Sequence, residues 1–191
     1  YVFNRGDREM IYFDSHGNCL GDWGETDFAR PHGLTISSTN EIFCTDDFAH
    51  TVTKYDLHGN TLLALGTRGF KSDTGATDVD YRNIKSSAGP FNYPTNLAIA
   101  ADDSFYVSDG YGNARIHHFS SHGEHIRSWG DPGKRPSQFA VPHDLRIHEN
   151  GDIWVADREN DRIQIFSGEG QFIRLLDGFA RPASLDFVPD G

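Results

Sequence analysis

The sequence predicts an all-β fold, a β-propeller built from four-stranded blades, and three observations carry that prediction. Aromatic residues make up 13% of the 191 residues, including 14 Phe and 7 Tyr, and these residue types favour strands. A Phe-x-x-Pro-x-x-Leu motif recurs along the chain. No segment of about ten or more residues carries the 3.6-residue periodicity of an amphipathic helix. Units of about 40 residues with four short strands each are typical of propeller blades.

The Phe-x-x-Pro-x-x-Leu motif lies at the start of the first strand of each unit. Its four prolines are 63, 48 and 40 residues apart, and the first gap is long because it contains an insert, residues 67–90. The four copies are Phe28-Pro31-Leu34, Phe91-Pro94-Leu97, Phe139-Pro142-Leu145 and Phe179-Pro182-Leu185.

Three more strands follow in each unit. The second ends in Asp, the third ends before a Gly turn, and the fourth completes the blade. Second strands are predicted at 42–46, 105–109 and 153–157, third strands at 52–56, 116–120 and 163–167, and fourth strands at 61–66, 125–130 and 172–177. A β-sandwich would also give short strands, but without these Phe-Pro, Asp and Gly residues at fixed positions of each unit. A leucine-rich solenoid would show a shorter period.

The whole chain, 1–191, is predicted to be a single propeller domain. Three blades span 26–66, 91–130 and 137–177, and the strands of 1–25 together with those of 179–191 read as one more blade. A propeller commonly closes by pairing its first and last strands. One alternative is therefore a closed ring of about four blades. The other is a fragment of a larger ring, which predicts a homo-oligomer through open blade edges.

Charge and composition argue against two kinds of partner. The formal net charge of −11 disfavours nucleic acid, because binding its phosphates needs a positive surface. No apolar run approaches about 18 residues, so we expect no membrane partner. The chain starts at Tyr1 without a signal-peptide pattern, and we expect an internal portion of a longer product. Cys19 and Cys44 leave the compartment undecided.

Positions where equivalent blades differ are the candidates for function, because structural positions should repeat. The first strand runs away from one face of the ring and the second returns to it, so residues after the anchor Pro and after the second strand should meet near the axis. The first set is His32, Thr95, His143 and Ala183, and the second is Arg5, Asp47, Tyr111 and Arg158. The sequence therefore predicts a rim of two histidines, two arginines and a tyrosine.

These residue types fit a metal-dependent site for an anionic substrate. Imidazole suits Zn²⁺, and a catalytic zinc usually has three protein ligands, so His32 and His143 are a partial set. Arg5 and Arg158 offer planar donor forks for a carboxylate. Tyr111, beside a metal and an arginine, would act as a base. The structural alternative is that the histidines suit exposed turns and the arginines are tethers.

Other polar residues have structural interpretations. Asp46, Asp109 and Asp157 are expected to cap backbone donors in turns. His117 and His118 are adjacent in a strand, so one of them should face solvent.

The insert, residues 67–90, has three alternatives: a lid, a calcium loop holding a structural Ca²⁺, or a mobile surface loop. It carries Asp73, Asp78 and Asp80 among Gly, Ser and Thr, but their spacing fits no EF-hand.

Residues 156–166, ADRENDRIQIF, resemble an NHL repeat. A narrower resemblance is to the peptidyl-α-hydroxyglycine α-amidating lyase family. It rests on segments that occur in the same order over four blades: Arg5-Gly6-Asp7, PHGL at 31–34, SDGYGNARI at 108–116, VPHDL at 141–145 and ADREN at 156–160. The resemblance implies a six-bladed propeller with a zinc ion held by three histidines in the central cavity.

By this resemblance His32 and His143 are two of the zinc ligands, Tyr111 is the catalytic base, and Arg5 and Arg158 bind the substrate and assist catalysis. The family cleaves a carbinolamide, peptidyl-α-hydroxyglycine, to a peptide amide and glyoxylate. Its third histidine belongs to a last blade that would follow residue 191. The fourth copy of the motif has Ala183 at the ligand position, and Gly112 replaces a family cysteine.

Three functions are therefore open. The parent protein is expected to be an enzyme, a zinc-dependent carbon–nitrogen lyase whose substrate is a small peptide or an α-hydroxyglycine. The alternatives are a non-catalytic scaffold that binds a protein or peptide, and a fragment without activity.

Overall fold

The computed structural model describes residues 1–24 and 28–188, in which short strands are joined by turns. The first sheet has three strands, and three four-stranded sheets follow, each a meander of consecutive antiparallel strands. This confirms the predicted all-β fold of four-stranded blades. No sheet closes on itself within these ranges. They also contain no helix long and apolar enough to cross a bilayer.

The sheets are numbered as blades 1 to 4 along the chain. Blade 1 comprises β1 (Val2–Phe3), β2 (Met10–Phe13) and β3 (Cys19–Trp23). Blade 2 comprises β4 (Pro31–Ile36), β5 (Ile42–Asp46), β6 (Thr51–Tyr55) and β7 (Thr61–Leu65). Blade 3 comprises β8 (Pro94–Ile99), β9 (Phe105–Asp109), β10 (Arg115–Phe119) and β11 (His125–Trp129).

Blade 4 follows a small parallel pair, β12 (Asp131–Pro132) and β13 (Gln138–Phe139). It comprises β14 (Pro142–Ile147), β15 (Ile153–Asp157), β16 (Arg162–Phe166) and β17 (Phe172–Leu176). Short 3₁₀ turns lie at Tyr81–Asn83 in the insert and at Arg158–Asn160 after β15.

The Asp that ends each second strand fixes the segment that enters the blade. Asp46 accepts a hydrogen bond from the backbone N–H of Arg30 at 2.9 Å, and Asp157 accepts one from Ala140 at 2.7 Å. Asp109 has the same role in blade 3. Because these carboxylates are buried, losing one would leave backbone donors unpaired. The predicted capping role is confirmed.

Large side chains fill the space between blades. Phe91 and Phe139, from two copies of the anchor motif, are buried, and each contributes about 1.5–3 kcal/mol of hydrophobic stabilisation. Trp129 at the end of β11 covers Gly170 of the next blade, where an added Cβ would lie 2.7 Å from the indole. Gly170 also has a φ of +81°, so both its backbone conformation and this close contact favour glycine.

The ends of the chain do not pair with each other in the described residues. The prediction joined 179–191 to blade 1 as its first strand, but 179–188 contain no strand. Instead, Ser184 donates to the carboxylate of Asp144 at 2.8 Å, and the N–H of Leu185 does so at 3.0 Å. These bonds hold the segment against β14, where the inner strand of a further blade would lie. The open arrangement fits a partial propeller rather than a closed ring of four blades.

The insert is packed against blade 3. Thr74 and Ile84 are buried, and the hydroxyl of Thr74 donates to the carbonyl of Gly112 at 2.6 Å. Gly112 belongs to the turn that carries Tyr111. The insert thus supports a turn of the predicted rim, rather than being only a surface loop.

Candidate functional site

The hydroxyl of Tyr111 is the meeting point of side chains from three blades. Nε2 of His32, on β4, lies 3.2 Å from it, and Nε2 of His143, on β14, lies 2.9 Å away. Arg158, in the turn after β15, donates to the same oxygen through Nη1 at 3.3 Å. Four of the five residues predicted for the rim therefore lie in direct contact.

Backbone carbonyls fix both imidazole rings. Nδ1 of His32 lies 2.7 Å from the carbonyl oxygen of Thr95, and Nδ1 of His143 lies 2.7 Å from that of Ala183. Because a carbonyl oxygen only accepts, each Nδ1 carries the proton and each Nε2 presents its lone pair to the centre. The repeat explains the geometry, since each histidine bonds to the post-proline residue of the following segment. The two rings are 5.1 Å apart.

Both histidines are held in the neutral form. Burial lowers the pKa of His32 to about 4, and the charges of Arg5, Arg30 and Arg158 lower it further against the bond to Thr95. Burial likewise lowers the pKa of His143 to about 4. Neutral imidazole is the form that coordinates metal ions.

The two predicted arginines differ in their surroundings. Arg5 donates through Nε to the carbonyl of Pro31 at 3.0 Å, which places its charge beside His32. Arg158 donates through Nε to Glu159 at 2.9 Å, and its guanidinium carbon lies 5.2 Å from the centre of the Tyr111 ring.

Arg30 is a further cation that the repeat comparison missed. It forms a bidentate ion pair with Asp47, and its guanidinium carbon lies 3.7 Å from the centre of the Phe48 ring. It also lies 5.7 Å from the centre of the Tyr111 ring. Arg30 precedes the anchor proline, outside the compared positions. The signal that identifies it is Asp47, a carboxylate where blades 1 and 4 have arginine.

The donor set fits a metal ion only as a partial site. His32 and His143 present two neutral Nε2 atoms to one point, which suits Zn²⁺. Within 1–24 and 28–188, however, no three His, Cys, Asp or Glu side chains are grouped to hold a metal ion. A third ligand would have to come from outside these residues, so zinc stays a prediction.

The predicted calcium loop also has its carboxylates in other contacts. Asp80 binds Arg82 at 2.7 Å, and Asp78 accepts from Asn83 at 3.1 Å. The structural Ca²⁺ likewise stays a prediction.

Comparison with known proteins identifies the repeat. Residues 91–119 and 139–166 match the family model described as NHL repeat. NHL repeat-containing protein 3 of Mus musculus is 31% identical over all of this chain, which spans 56% of that protein. Peptidyl-alpha-hydroxyglycine alpha-amidating lyase 1 of Drosophila melanogaster is 35% identical over 82% of the chain, which spans 29% of that protein.

Solved structures agree on the fold. The WD40 beta propeller domain of Doa1 superimposes with a TM-score of 0.53 at 14% identity, over 80% of this chain and 42% of that one. At this identity the likeness supports the propeller fold alone. The chain spans about half or less of each of these three proteins.

Proposed function

We propose that this chain, an NHL-repeat β-propeller that spans part of the length of its relatives, supplies part of a metal-dependent lyase site that converts a carbinolamide to an amide and glyoxylate. The observation that supports this most directly is the convergence of His32 and His143 on the Tyr111 hydroxyl. The 35% identity to a fly protein named as an amidating lyase supports the same reaction class.

His32 and His143 are the proposed protein ligands of Zn²⁺ in this chain. Their Nδ1–H bonds to carbonyl oxygens hold the rings with Nε2 facing the Tyr111 oxygen. We call the group of His32, Tyr111, His143 and Arg158 the channel site. When bound there, Zn²⁺ would supply Lewis acidity at the substrate hydroxyl oxygen.

Tyr111 is the proposed base. Its oxygen takes the proton from the substrate hydroxyl as the carbon–oxygen double bond forms and the carbon–nitrogen bond breaks, and the tyrosine then gives this same proton to the amide nitrogen. The Arg158 guanidinium, 3.3 Å from the tyrosine oxygen, stabilises negative charge on that oxygen. The products are the amide and glyoxylate.

Arg5 and Arg158 are proposed to bind the substrate carboxylate. Arg5 donates to the carbonyl of Pro31, next to His32 in the chain, and Arg158 donates to the Tyr111 oxygen that His32 also contacts, so both positive charges lie near this histidine. A carboxylate there would offset part of the repulsion between the arginines. Arg30 is less suited to this role, because Asp47 already occupies its donor fork.

Calorimetric titration of the chelator-treated chain with Zn²⁺ tests the metal site. We expect one Zn²⁺ per chain, and we expect His32→Ala or His143→Ala to weaken binding at least about tenfold, the scale seen even for outer-shell ligand partners. His122→Ala, in an exposed turn, is the matched control. Absence of binding, or binding indifferent to both channel histidines, would contradict the metal site.

Release of glyoxylate from an N-acyl-α-hydroxyglycine in saturating Zn²⁺ then tests the reaction. Activity that His32→Ala abolishes supports the lyase. Zinc binding through both histidines without glyoxylate would instead favour a scaffold. That second candidate rests on the match of NHL repeat-containing protein 3 to the entire chain, and it assigns the channel face to binding a peptide.

A further inference from the structure

A cavity of about 320 Å³ lies on the outer part of blade 3, away from the residues assigned to the channel. The end of the insert forms one wall, with Gly89 and Pro90, and strands β10 and β11 form the other. The walls combine the apolar surfaces of Pro90 and Phe119 with the polar groups of His125 and Ser128.

A chain of hydrogen bonds leads from a buried carboxylate to a hydroxyl in this cavity. Nε2 of His117 lies 3.3 Å from Oδ2 of Asp109, and its Nδ1 lies 2.9 Å from Oγ of Ser128. Because a carboxylate only accepts, Nε2 carries the proton and Nδ1 accepts the hydrogen of the Ser128 hydroxyl. This is the order carboxylate, imidazole, hydroxyl that activates a serine nucleophile.

A second imidazole contacts the same hydroxyl. Nε2 of His125 lies 2.7 Å from Oγ of Ser128. Since the hydroxyl hydrogen is directed at His117, the His125 ring donates to the oxygen. His125 is exposed, whereas His117 is buried, so the hydrogen-bonded chain runs from the interior to the cavity mouth.

The other complete blades lack this arrangement. The strand pairing makes Thr53 and Ala64 of blade 2 equivalent to His117 and Ser128. In blade 4 the equivalent residues are Gln164 and Leu175. Gln164 also donates to the Asp that ends the second strand of its blade, Asp157, at 3.1 Å. The contact between this position and the Asp therefore has a structural role in both blades. Among the complete blades, only blade 3 has a hydroxyl, that of Ser128, on the side of the His117 imidazole opposite the Asp. Only blade 3 also has the insert that forms one wall of the cavity.

A fixed cation lines the cavity. Arg115 donates through Nη1 to the carbonyl of Gly130 at 3.1 Å, which anchors one side of its guanidinium. Arg115 is the cation in the cavity wall, and we expect its charge to favour an oxyanion formed there.

We propose that Ser128 is the nucleophile of a second site, which hydrolyses small carboxylic esters. Oγ attacks the ester carbonyl carbon while its proton passes to Nδ1 of His117. The ester carbon–oxygen bond then breaks, and the leaving alcohol takes that proton. Water attacks the acyl-serine, losing its proton to Nδ1, and the carboxylic acid leaves as Ser128 regains its hydrogen. Asp109 keeps the imidazole in the required tautomer and is a positioning residue.

A fluorophosphonate probe tests the proposal on the complete chain. Attack by Oγ forms an oxygen–phosphorus bond and releases fluoride, so intact mass should rise by one adduct. Trypsin cleavage after Arg127 and Lys134 gives a peptide, 128–134, in which Ser128 is the only serine. We expect the adduct in that peptide. A folded chain without adduct, or an adduct in another peptide, would overturn the proposal.

Three variants separate the nucleophile from its surroundings. Ser128→Ala places the residue of blade 2 at this position and should abolish labelling. His117→Gln places the residue of blade 4, keeps a donor to Asp109, and should slow labelling and hydrolysis of p-nitrophenyl acetate about 10²-fold. Ser121→Ala removes a partly exposed serine whose hydroxyl lies 3.2 Å from Nδ1 of His122, with no buried carboxylate on that ring among the described residues, and it should change neither rate. Labelling of His117→Gln at the wild-type rate would contradict the assignment of His117 as the base.

Discussion

The channel site and the outer cavity of blade 3 each place one hydroxyl between two imidazoles, but the second ring nitrogens differ in their partners. In the channel, both Nδ1 atoms donate to backbone carbonyls, so both Nε2 lone pairs face the Tyr111 oxygen. In the cavity, His117 donates to a carboxylate, so its free lone pair faces the Ser128 hydroxyl. The partner of the distal nitrogen thus decides what an imidazole can do.

The different partners of the second ring nitrogens also suit the two regions to different chemistry. Neutral rings held by carbonyls suit a cation between them, and two such rings form a partial ligand set. A ring backed by a carboxylate is stabilised when it becomes charged, which suits proton transfer from a hydroxyl. A change of one group in either region therefore leaves the other region as an internal reference.

The largest expected effect is at Tyr111. Tyr111→Phe removes the proposed base and keeps the ring, so glyoxylate release should fall about 10²–10⁴-fold, the usual contribution of general base catalysis. The histidines remain, so zinc affinity measured by calorimetry should stay near the wild-type value. Labelling of Ser128 is the reference and should not change. Undiminished glyoxylate release would remove Tyr111 from the mechanism.

Asp109→Asn should have the next largest effect. The carboxylate accepts from the backbone of Asn92 and from His117, so the amide would leave buried groups unpaired. We expect the free energy of unfolding, measured in urea, to fall by about 1–3 kcal/mol, and labelling of Ser128 to be lost.

Asp157→Asn is the matched control for that change, because Asp157 has the same capping role in blade 4. It should cost similar stability but leave labelling of Ser128 intact. Equal loss of labelling in both variants would mean that Asp109 acts only through the stability of the chain.

The sequence predicted the channel better than the cavity, for a physical reason. The channel residues occupy two fixed positions of each repeat, and the repeat geometry brings these positions together at one face. His32, Tyr111, His143 and Arg158 could therefore be grouped without knowledge of any side-chain rotamer. Zinc stays a prediction, because only two of the expected ligands, His32 and His143, meet among the described residues.

The cavity depends on register and on the insert, which the repeat pattern does not determine. His117 pairs with Ser128, and a register shift after His118 places His125 opposite Phe119. The prediction that either His117 or His118 faces solvent was wrong, because both are buried. Strand β10 lies in the middle of its blade and is covered on both faces, so side-chain alternation does not reveal exposure there.

A cysteine at position 128 would report on the base directly. In Ser128→Cys, His117 should lower the thiol pKa, and a decrease of about one unit gives roughly tenfold more thiolate at neutral pH. We expect alkylation by iodoacetamide about tenfold faster than at the exposed Cys19, measured by peptide mass. Cys44 serves as the opposite reference, because burial raises its thiol pKa. Alkylation no faster than at Cys19 would argue against an activating imidazole.

His118 completes the comparison, because its distal nitrogen has no partner among the described residues. Nε2 lies 3.0 Å from the Ser104 hydroxyl, while the buried Nδ1 makes no hydrogen bond. Burial lowers the pKa of His118, and the charge of Arg127 lowers it further. The unfolded chain therefore binds a proton at this ring more readily than the folded chain does. Stability linked to His118 is fully present above about pH 6.5, the unfolded value, and is lost as the pH falls from there through the lower pKa of the folded ring.

His118→Phe keeps a ring stacked on Tyr106 and removes this titration. The loss of unfolding free energy between about pH 7 and pH 5, measured by urea titration, should be smaller than in the wild type. It should not vanish, because His32 and His143, with pKa values of about 4, still resist protonation. His122→Phe, in an exposed turn, should keep the wild-type dependence. If the pH dependence of the unfolding free energy is unchanged in His118→Phe, protonation of His118 does not destabilise the fold.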